Sequence, residues 1–215
     1  MHSFLDRWFA SALRPLRAWG WLALLSLFAG NAVAGGIDHR LNKDESGIYN
    51  RNVQVGVQDG TIALTLALAL WEGSDSRFGK TAWQGVDSIA LGAVTAQAMK
   101  YAFSRSRPSQ TNDPNRWFQG SGNQSFPSGE VMLVTTAVTP YILEYGRDHP
   151  EVYALALLPL YDAVARVKSQ AHWQTDVLAS LAIGTAIGYY AHGRDTPISV
   201  GILPRGITIG FHKRF

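Results

Sequence analysis

From Ala82 to Phe103, apolar side chains recur every three or four residues over a stretch long enough for about six helical turns. A helix of that length has one long apolar stripe, which is stable only against other apolar helices. The chain supplies them. Thr61–Trp71 is rich in Ala and Leu, which favour helix over strand. Ser128–Tyr145 follows Pro127 and carries its own cap in Ser128. Val152–Val167 and Thr175–Tyr190 complete the set, the last rich in the Ala and Gly that permit close packing. Gly73–Ser76 reads as a loop, and Asn52–Gly56 as the start of a short element. Only the tail changes period. Ile198–Leu203 and Ile207–His212 alternate around a turn at Pro204-Arg-Gly206, the signature of a hairpin. The fold class expected is therefore all-α: a single helical bundle domain with a short C-terminal β-hairpin.

Composition agrees. At 215 residues the chain can bury one sizeable core but is short for two, and 47% hydrophobic with 16% charged residues excludes a disordered chain. The absence of cysteine excludes disulfides, thiolate catalysis and cysteine-ligated metals. Arg7, Arg14 and Arg17 precede a short apolar run at residues 18–30, and Ala32-Val-Ala34 follows. A basic start, a short apolar middle and an Ala-x-Ala end predict a secretory signal peptide over residues 1–34, and hence export, to the periplasm in a Gram-negative cell. The run is short for a membrane anchor. Thr61–Trp71 and the last apolar run, Val177–Ala191, are likewise short of a span, so peripheral membrane contact is the expectation. The expected divisions are a signal peptide at 1–34, an N-terminal arm at 35–58, a helical domain at 59–192 and a tail at 193–215. Without residues 1–34, which hold three arginines and Asp6, the formal charge falls from +3 to +1. No broad basic face remains for a nucleic acid.

Three polar clusters stand at the edges of the predicted helices. Lys100 to Pro108 contains Lys100 and Arg107; Ser125 to Glu130 contains Pro127-Ser128-Gly129; Arg166 to Asp176 contains Arg166, His172 and Asp176. Cations beside apolar helices are costly unless an anion sits among them. Ser128 and Gly129, at a helix N-terminus, present backbone N–H groups at the positive end of the dipole, and glycine allows close approach. His172 and Asp176, four apart, can pair so that the carboxylate fixes the ring tautomer and frees the other nitrogen. The remaining histidines, His2, His39, His149, His192 and His212, show no metal-ligand spacing. The intervening Ser104–Ser125 loop is long, and Trp117-Phe118 within it is either a packed anchor or a lid over an acyl chain.

Lys100-x6-Arg107-Pro108, Pro127-Ser128-Gly129 and Arg166-x5-His172-x3-Asp176 together resemble the type 2 phosphatidic acid phosphatase superfamily, which includes the bacterial class A acid phosphatases and the vanadium haloperoxidases. Order and spacing match across roughly residues 60–192. The resemblance implies a helical bundle and metal-free hydrolysis with no cofactor. His172 would be the nucleophile that forms a phosphohistidine, and Asp176 would orient it. Lys100, Arg107, Ser128, Gly129 and Arg166 would hold the phosphoryl oxygens. Three fixed cations can offset the charge that a metal would otherwise neutralise.

Two positions depart from the pattern. Ala165 stands where Ser is common, and Glu130 stands where the family places the His that protonates the leaving oxygen. A carboxyl can do that work only if its pKa is raised, by burial and an adjacent phosphate, against the pull of Lys100 and the arginines. An acidic leaving group such as a diphosphate would need the acid least. The function expected is an exported phosphatase acting on a phosphate ester or diphosphate, of a lipid by preference, with Glu130 as its acid. The alternatives are a catalytically silent phosphate- or lipid-binding relative and, further off, a haloperoxidase.

Overall fold

The computed structural model describes residues 36–194 and the backbone of 198–203 and 206–211. The signal-peptide expectation for 1–34 lies outside the described residues. Among the described residues, five α-helices form the bundle: α1 (Arg51–Glu72), α2 (Arg77–Phe103), α3 (Gly129–Tyr145), α4 (Leu157–Lys168) and α5 (Gln174–His192). Short 3-10 turns at Gly47–Tyr49 and Pro150–Ala156 lead into α1 and α4. The backbone of Ile198–Leu203 runs antiparallel to that of Gly206–Phe211, with Leu203 opposite Gly206.

Caps explain where the helices begin. Asn50 accepts from the Asn52 N–H at 2.9 Å, so α1 starts ten residues before the expected Thr61 and takes in Asn52–Gly60. Gly56 and Gly60 weaken this helix without breaking it. At 22 residues α1 is long and apolar enough to cross a membrane, which corrects the length judged from Thr61–Trp71 alone. Ser76 accepts from the Gly79 N–H at 3.0 Å and starts α2 one turn early. Ser104 ends α2 in the left-handed region (φ +39°), its N–H bonded to the Lys100 carbonyl at 3.0 Å. Val152–Val167, expected as one helix, divides into a 3-10 turn and α4. Pro159, without an N–H, is tolerated in the first turn of α4.

α3 is the central helix. Val131, Met132, Val134, Ala137 and Val138 are all buried, and α2 and α5 pack along its sides. The approach of α5 depends on glycine. A Cβ on Gly188 would lie 2.5 Å from Thr139 Cβ, and one on Gly184 2.8 Å from Thr135 Cβ. The rigid seam of α2, α3 and α5 is what holds the ends of those helices, where the three polar clusters sit, in register.

The segment before α1 is not a loose arm. Asp38 is buried, its Oδ1 accepting from the Thr175 N–H at 2.8 Å and so capping α5. The His39 N–H donates to Gln174 Oε1, the Asp44 N–H to the Lys168 carbonyl, and Gln170 Nε2 to the Leu41 carbonyl. The expectation of an arm with little core contact is corrected: residues 37–50 strap α4 and α5 together.

Candidate active site

The loop between α2 and α3 is anchored from beneath. Arg105, fully buried, donates to Asp38 Oδ2 at 2.7 Å and to Asp176 Oδ1 at 2.5 Å, and lies 4.3 Å over the Trp117 ring. Trp117 packs edge-on against Phe103 and Phe126 at centroid distances of 6.0 and 5.2 Å. Trp117 is thus the packed anchor of the loop, while Phe118 is 71% exposed. An arginine between two buried carboxylates satisfies its charge on both sides.

This anchoring fixes the polar clusters. Lys100, at the end of α2, donates from Nζ to the Gln124 carbonyl at 2.8 Å. Burial, with help from the Arg107 charge, lowers its pKa to about 8. Arg107 is also drawn below its ordinary value, by burial first. The Arg166 guanidinium donates to Gln54 Oε1 at 3.0 Å and lies 3.5 Å from Glu130 Oε1. Two buried donors, Ser128 Oγ and Arg166 Nε, have no acceptor among the described residues. Gly129 opens α3, and a Cβ there would meet only Lys100 Cε, at an ordinary 3.5 Å. Nothing among the described residues demands glycine at that position.

His172 is 2% exposed. Its Nδ1 is 2.6 Å from the Ser125 carbonyl, an acceptor, so Nδ1 carries the proton and Nε2 the lone pair. Burial lowers the ring's pKa to about 4, with the Arg166 and Lys100 charges acting the same way against Asp176. The imidazole is neutral at physiological pH.

Asp176 does not bind the ring as the i,i+4 spacing suggested. Its Oδ2 is 3.8 Å from Nδ1, beyond hydrogen-bond range. Instead Oδ2 accepts from Ser125 Oγ at 2.5 Å and from the Trp173 N–H at 2.9 Å, while Oδ1 takes Arg105. Burial alone would raise this carboxyl; the positive charges and donors around it, Arg105 and Ser125 among them, outweigh burial and keep it ionised. Asp176 therefore holds Ser125, and the Ser125 carbonyl holds His172.

Glu130 faces the same site from the first turn of α3. Its Oε2 accepts from Arg51 Nη1 at 2.7 Å. Burial pushes its pKa up, but the Arg51 bond and the Arg166 charge win, and the carboxyl stays below its ordinary range. The raised pKa hoped for in an acid is absent. Lys43, Arg51, Arg107, Glu130 and Arg166 line a polar cavity of about 400 Å³ at this end of the bundle. A larger, apolar groove of about 650 Å³ lies between α1, α3 and the second 3-10 turn, away from these groups.

All eight residues singled out in the sequence thus converge at one end of the bundle. Sequence reasoning missed Arg51, Gln54, Arg105 and Asp38. Arg105 sits inside the first cluster and could have been suspected there. Gln54 lies in Asn52–Gly56, where Val alternates with polar residues and nothing marks a partner, and Asp38 gave no signal. Of the other histidines, His192 pairs with Glu144 at 2.8 Å and His149 with Glu151 at 3.2 Å, both at the opposite end of α3. Among the described residues no group of three or more His, Asp or Glu gathers as a metal site.

Comparison with known families gives the class. The model of the PAP2 superfamily matches residues 81–195, more than half of the chain, and the chain belongs to that superfamily. Among curated proteins it is similar to the lipid A 1-phosphatase of Porphyromonas gingivalis, 28% identical over 120 residues. That match covers 55% of this chain and 24% of the relative, so the chain spans about a quarter of the relative's length. Among solved structures it is similar to Aquifex aeolicus LpxE, at 18% identity and a TM-score of 0.43, over 71% of this chain and 99% of that one.

Proposed function

We propose that the protein is a metal-independent phosphatase of a lipid phosphate or diphosphate, working through a phosphohistidine at His172. One observation carries the reading: a neutral, buried imidazole with Nδ1 tied to the Ser125 carbonyl stands among Lys100, Arg107 and Arg166, beside two buried donors, Ser128 Oγ and Arg166 Nε, that have no acceptor among the described residues. A phosphoryl group supplies the acceptors those donors lack. The family and the lipid A 1-phosphatase likeness support the substrate class.

In the first half-reaction His172 Nε2 attacks phosphorus as the ester P–O bond breaks. The charge that develops on the equatorial oxygens is met by Lys100, Arg107, Arg166, Ser128 Oγ and the Gly129 N–H. Absence of a Cβ on Gly129 leaves that N–H open to the ligand, which accounts for a glycine the protein's own packing does not require. The imidazolium formed is stabilised through Nδ1–H and the Ser125 carbonyl, with the Asp176 carboxylate 3.8 Å away. In the second half water attacks the phosphohistidine and releases phosphate.

The same reading includes export by a cleaved signal at residues 1–34 and a hairpin tail, the last supported by the backbone register of 198–211; the helical domain, expected over 59–192, begins with α1 at Arg51. It also includes contact with a membrane surface, supported by exposed Leu64, Leu66 and Trp71 on α1 and Leu157 and Leu160 on α4. Phosphate release from phosphatidic acid in detergent micelles with EDTA present, abolished in His172→Ala, is the test.

A second reading has one observation in its favour. Glu130, held as a carboxylate by Arg51, suits a silent phosphate-binding relative that lacks an acid. It predicts vanadate binding without turnover from pH 4 to 8, and metal-independent turnover excludes it.

A further inference from the structure

Lys43 and Arg51 line the same cavity of about 400 Å³ as Arg107 and Arg166, yet neither belongs to the cradle that holds the transferred phosphoryl group. Arg51 is the first residue of α1, where a positive charge meets the positive end of the helix dipole and no acidic residue shares the turn. It is held there from another helix: Nη1 donates to Glu130 Oε2 on α3 at 2.7 Å. Three residues on, buried Gln54 accepts from Arg166 Nη1 at 3.0 Å, so the first turn of α1 is fastened to the cradle at two points. The strap fixes Lys43, through the Asp44 N–H bond to the Lys168 carbonyl at 3.0 Å and an ion pair with Glu45 at 2.8 Å. In phosphoryl transfer the attacking and leaving groups lie in line on opposite sides of phosphorus. His172 is buried and is not among the residues lining the cavity, so the leaving group points away from it, into the cavity. Four cations, Lys43, Arg51, Arg107 and Arg166, stand there against two carboxylates, Glu45 and Glu130. The transferred phosphoryl group takes up Arg107 and Arg166. Lys43 and Arg51 remain for the leaving group, each about half exposed, and exposed ion pairs of this kind open readily to another anion. A guanidinium fork can also hold two anions at once, as Arg105 does between Asp38 and Asp176.

We infer that Arg51, helped by Lys43, binds the leaving group, and that this leaving group is itself a phosphomonoester, so that the site takes a lipid diphosphate in preference to a lipid monophosphate. This deepens the phosphatase reading above and rests on it. An alcohol leaves well only with a proton, and Glu130 is a poor source of one: burial raises its pKa, but Arg51 and Arg166 prevail and hold it as a carboxylate. An oxygen that leaves on a second phosphate needs no proton; it needs cations to meet its charge. His172 Nε2 forms its bond to the terminal phosphorus as the bond from that phosphorus to the bridging oxygen breaks. The electron pair stays on the bridging oxygen, which departs as part of the lipid monophosphate, its charge met by Arg51 and Lys43. Water then attacks the phosphohistidine, the P–N electron pair returns to Nε2, and phosphate is released with the oxygen of that water. No step draws a proton from Glu130.

The test compares initial phosphate release from farnesyl diphosphate and farnesyl phosphate, which share one lipid, in detergent with EDTA, by the full chain and by Arg51→Gln and Arg51→Lys. Wild type should turn over the diphosphate about a hundredfold faster than the monophosphate. Arg51→Gln should lower turnover of the diphosphate about tenfold or more and the ratio of the two substrates with it, and Arg51→Lys, which keeps the charge without the fork, should recover part of the loss. A wild type that favours the monophosphate overturns the inference, and so does an equal loss on both substrates in Arg51→Gln, the mark of a merely structural role. Calorimetry with methylenediphosphonate, which cannot be cleaved at its bridging carbon, supplies a second arm. It should bind about tenfold tighter than inorganic phosphate and lose that advantage in Arg51→Gln; equal affinities in wild type overturn the site for a second anion. If wild type releases phosphate from neither substrate, the phosphatase reading fails instead, and the calorimetry still decides whether Arg51 serves a second phosphate.

Discussion

At the scale of single residues the chemistry turns on which carboxylate touches what. His172 is fixed by a main-chain oxygen that a side-chain substitution cannot remove, whereas Asp176 holds the loop carrying that oxygen. Asp176→Asn leaves Arg105 buried with only Asp38 to answer its charge, so it should destabilise the fold by about 3–5 kcal/mol in urea unfolding as well as reduce turnover. Ser125→Ala removes one bond to a charged group and should cost only about 1.5–3 kcal/mol. The buried titrating groups predict opposite pH dependences. His172 is lowered to about 4 in the fold and titrates near 6.5 when unfolded, so the unfolded chain gains the proton first. Its contribution is complete above about 6.5 and is lost as pH falls towards 4. Asp162, without a hydrogen-bond partner among the described residues, is raised by burial to about 7 in the fold, so its contribution is complete below about 4 and is lost as pH rises towards 7. The loss is on the order of 1 kcal/mol per pH unit. Thermal melts should therefore show Asp162→Asn gaining stability relative to wild type between pH 5 and 8; a constant difference across that range would contradict the assignment.

At the scale of elements, the helices were legible because their signals are local. Lys100, Arg107, Ser128, Gly129, Arg166 and His172 each lie at a helix edge marked by apolar period, proline or glycine, and the fold brings those edges to one end. The errors are local too. The expected start at Thr61 follows the Ala/Leu-rich run alone, whereas the Asn50 cap, the bond that starts the helix earlier, spans only two residues. The strap was illegible for a different reason. Asp38 meets Thr175 across 137 residues of sequence, and no pattern in a single chain marks such a pairing. Glu130 was legible as a departure from the family but not as an ion pair, because its partner Arg51 lies on a helix whose start was misread. Asp38→Ala should uncap α5 and leave Arg105 half-paired, lowering stability by about 3–5 kcal/mol. A fall within experimental error would mean that the strap is ornamental.

At the scale of the whole molecule, three packed helices fix a polar end, and apolar residues stay exposed along α1 and α4. That combination suits an enzyme whose substrate has a charged head and an apolar body. Trp71, 88% exposed, should emit further to the red and be quenched more by a soluble quencher than the buried Trp83 and Trp173, and should move blue when anionic vesicles are added if this surface meets a membrane. The central claim is narrower than the lipid question and does not depend on it: His172 takes the phosphoryl group. It is tested most directly by mixing the protein with phosphatidic acid in EDTA, quenching during turnover in alkali, and mapping the phosphorylated peptide by mass spectrometry. Phosphate on the imidazole of His172, with neither intermediate nor phosphate release in His172→Ala, is the predicted result; release that persists in His172→Ala would contradict it.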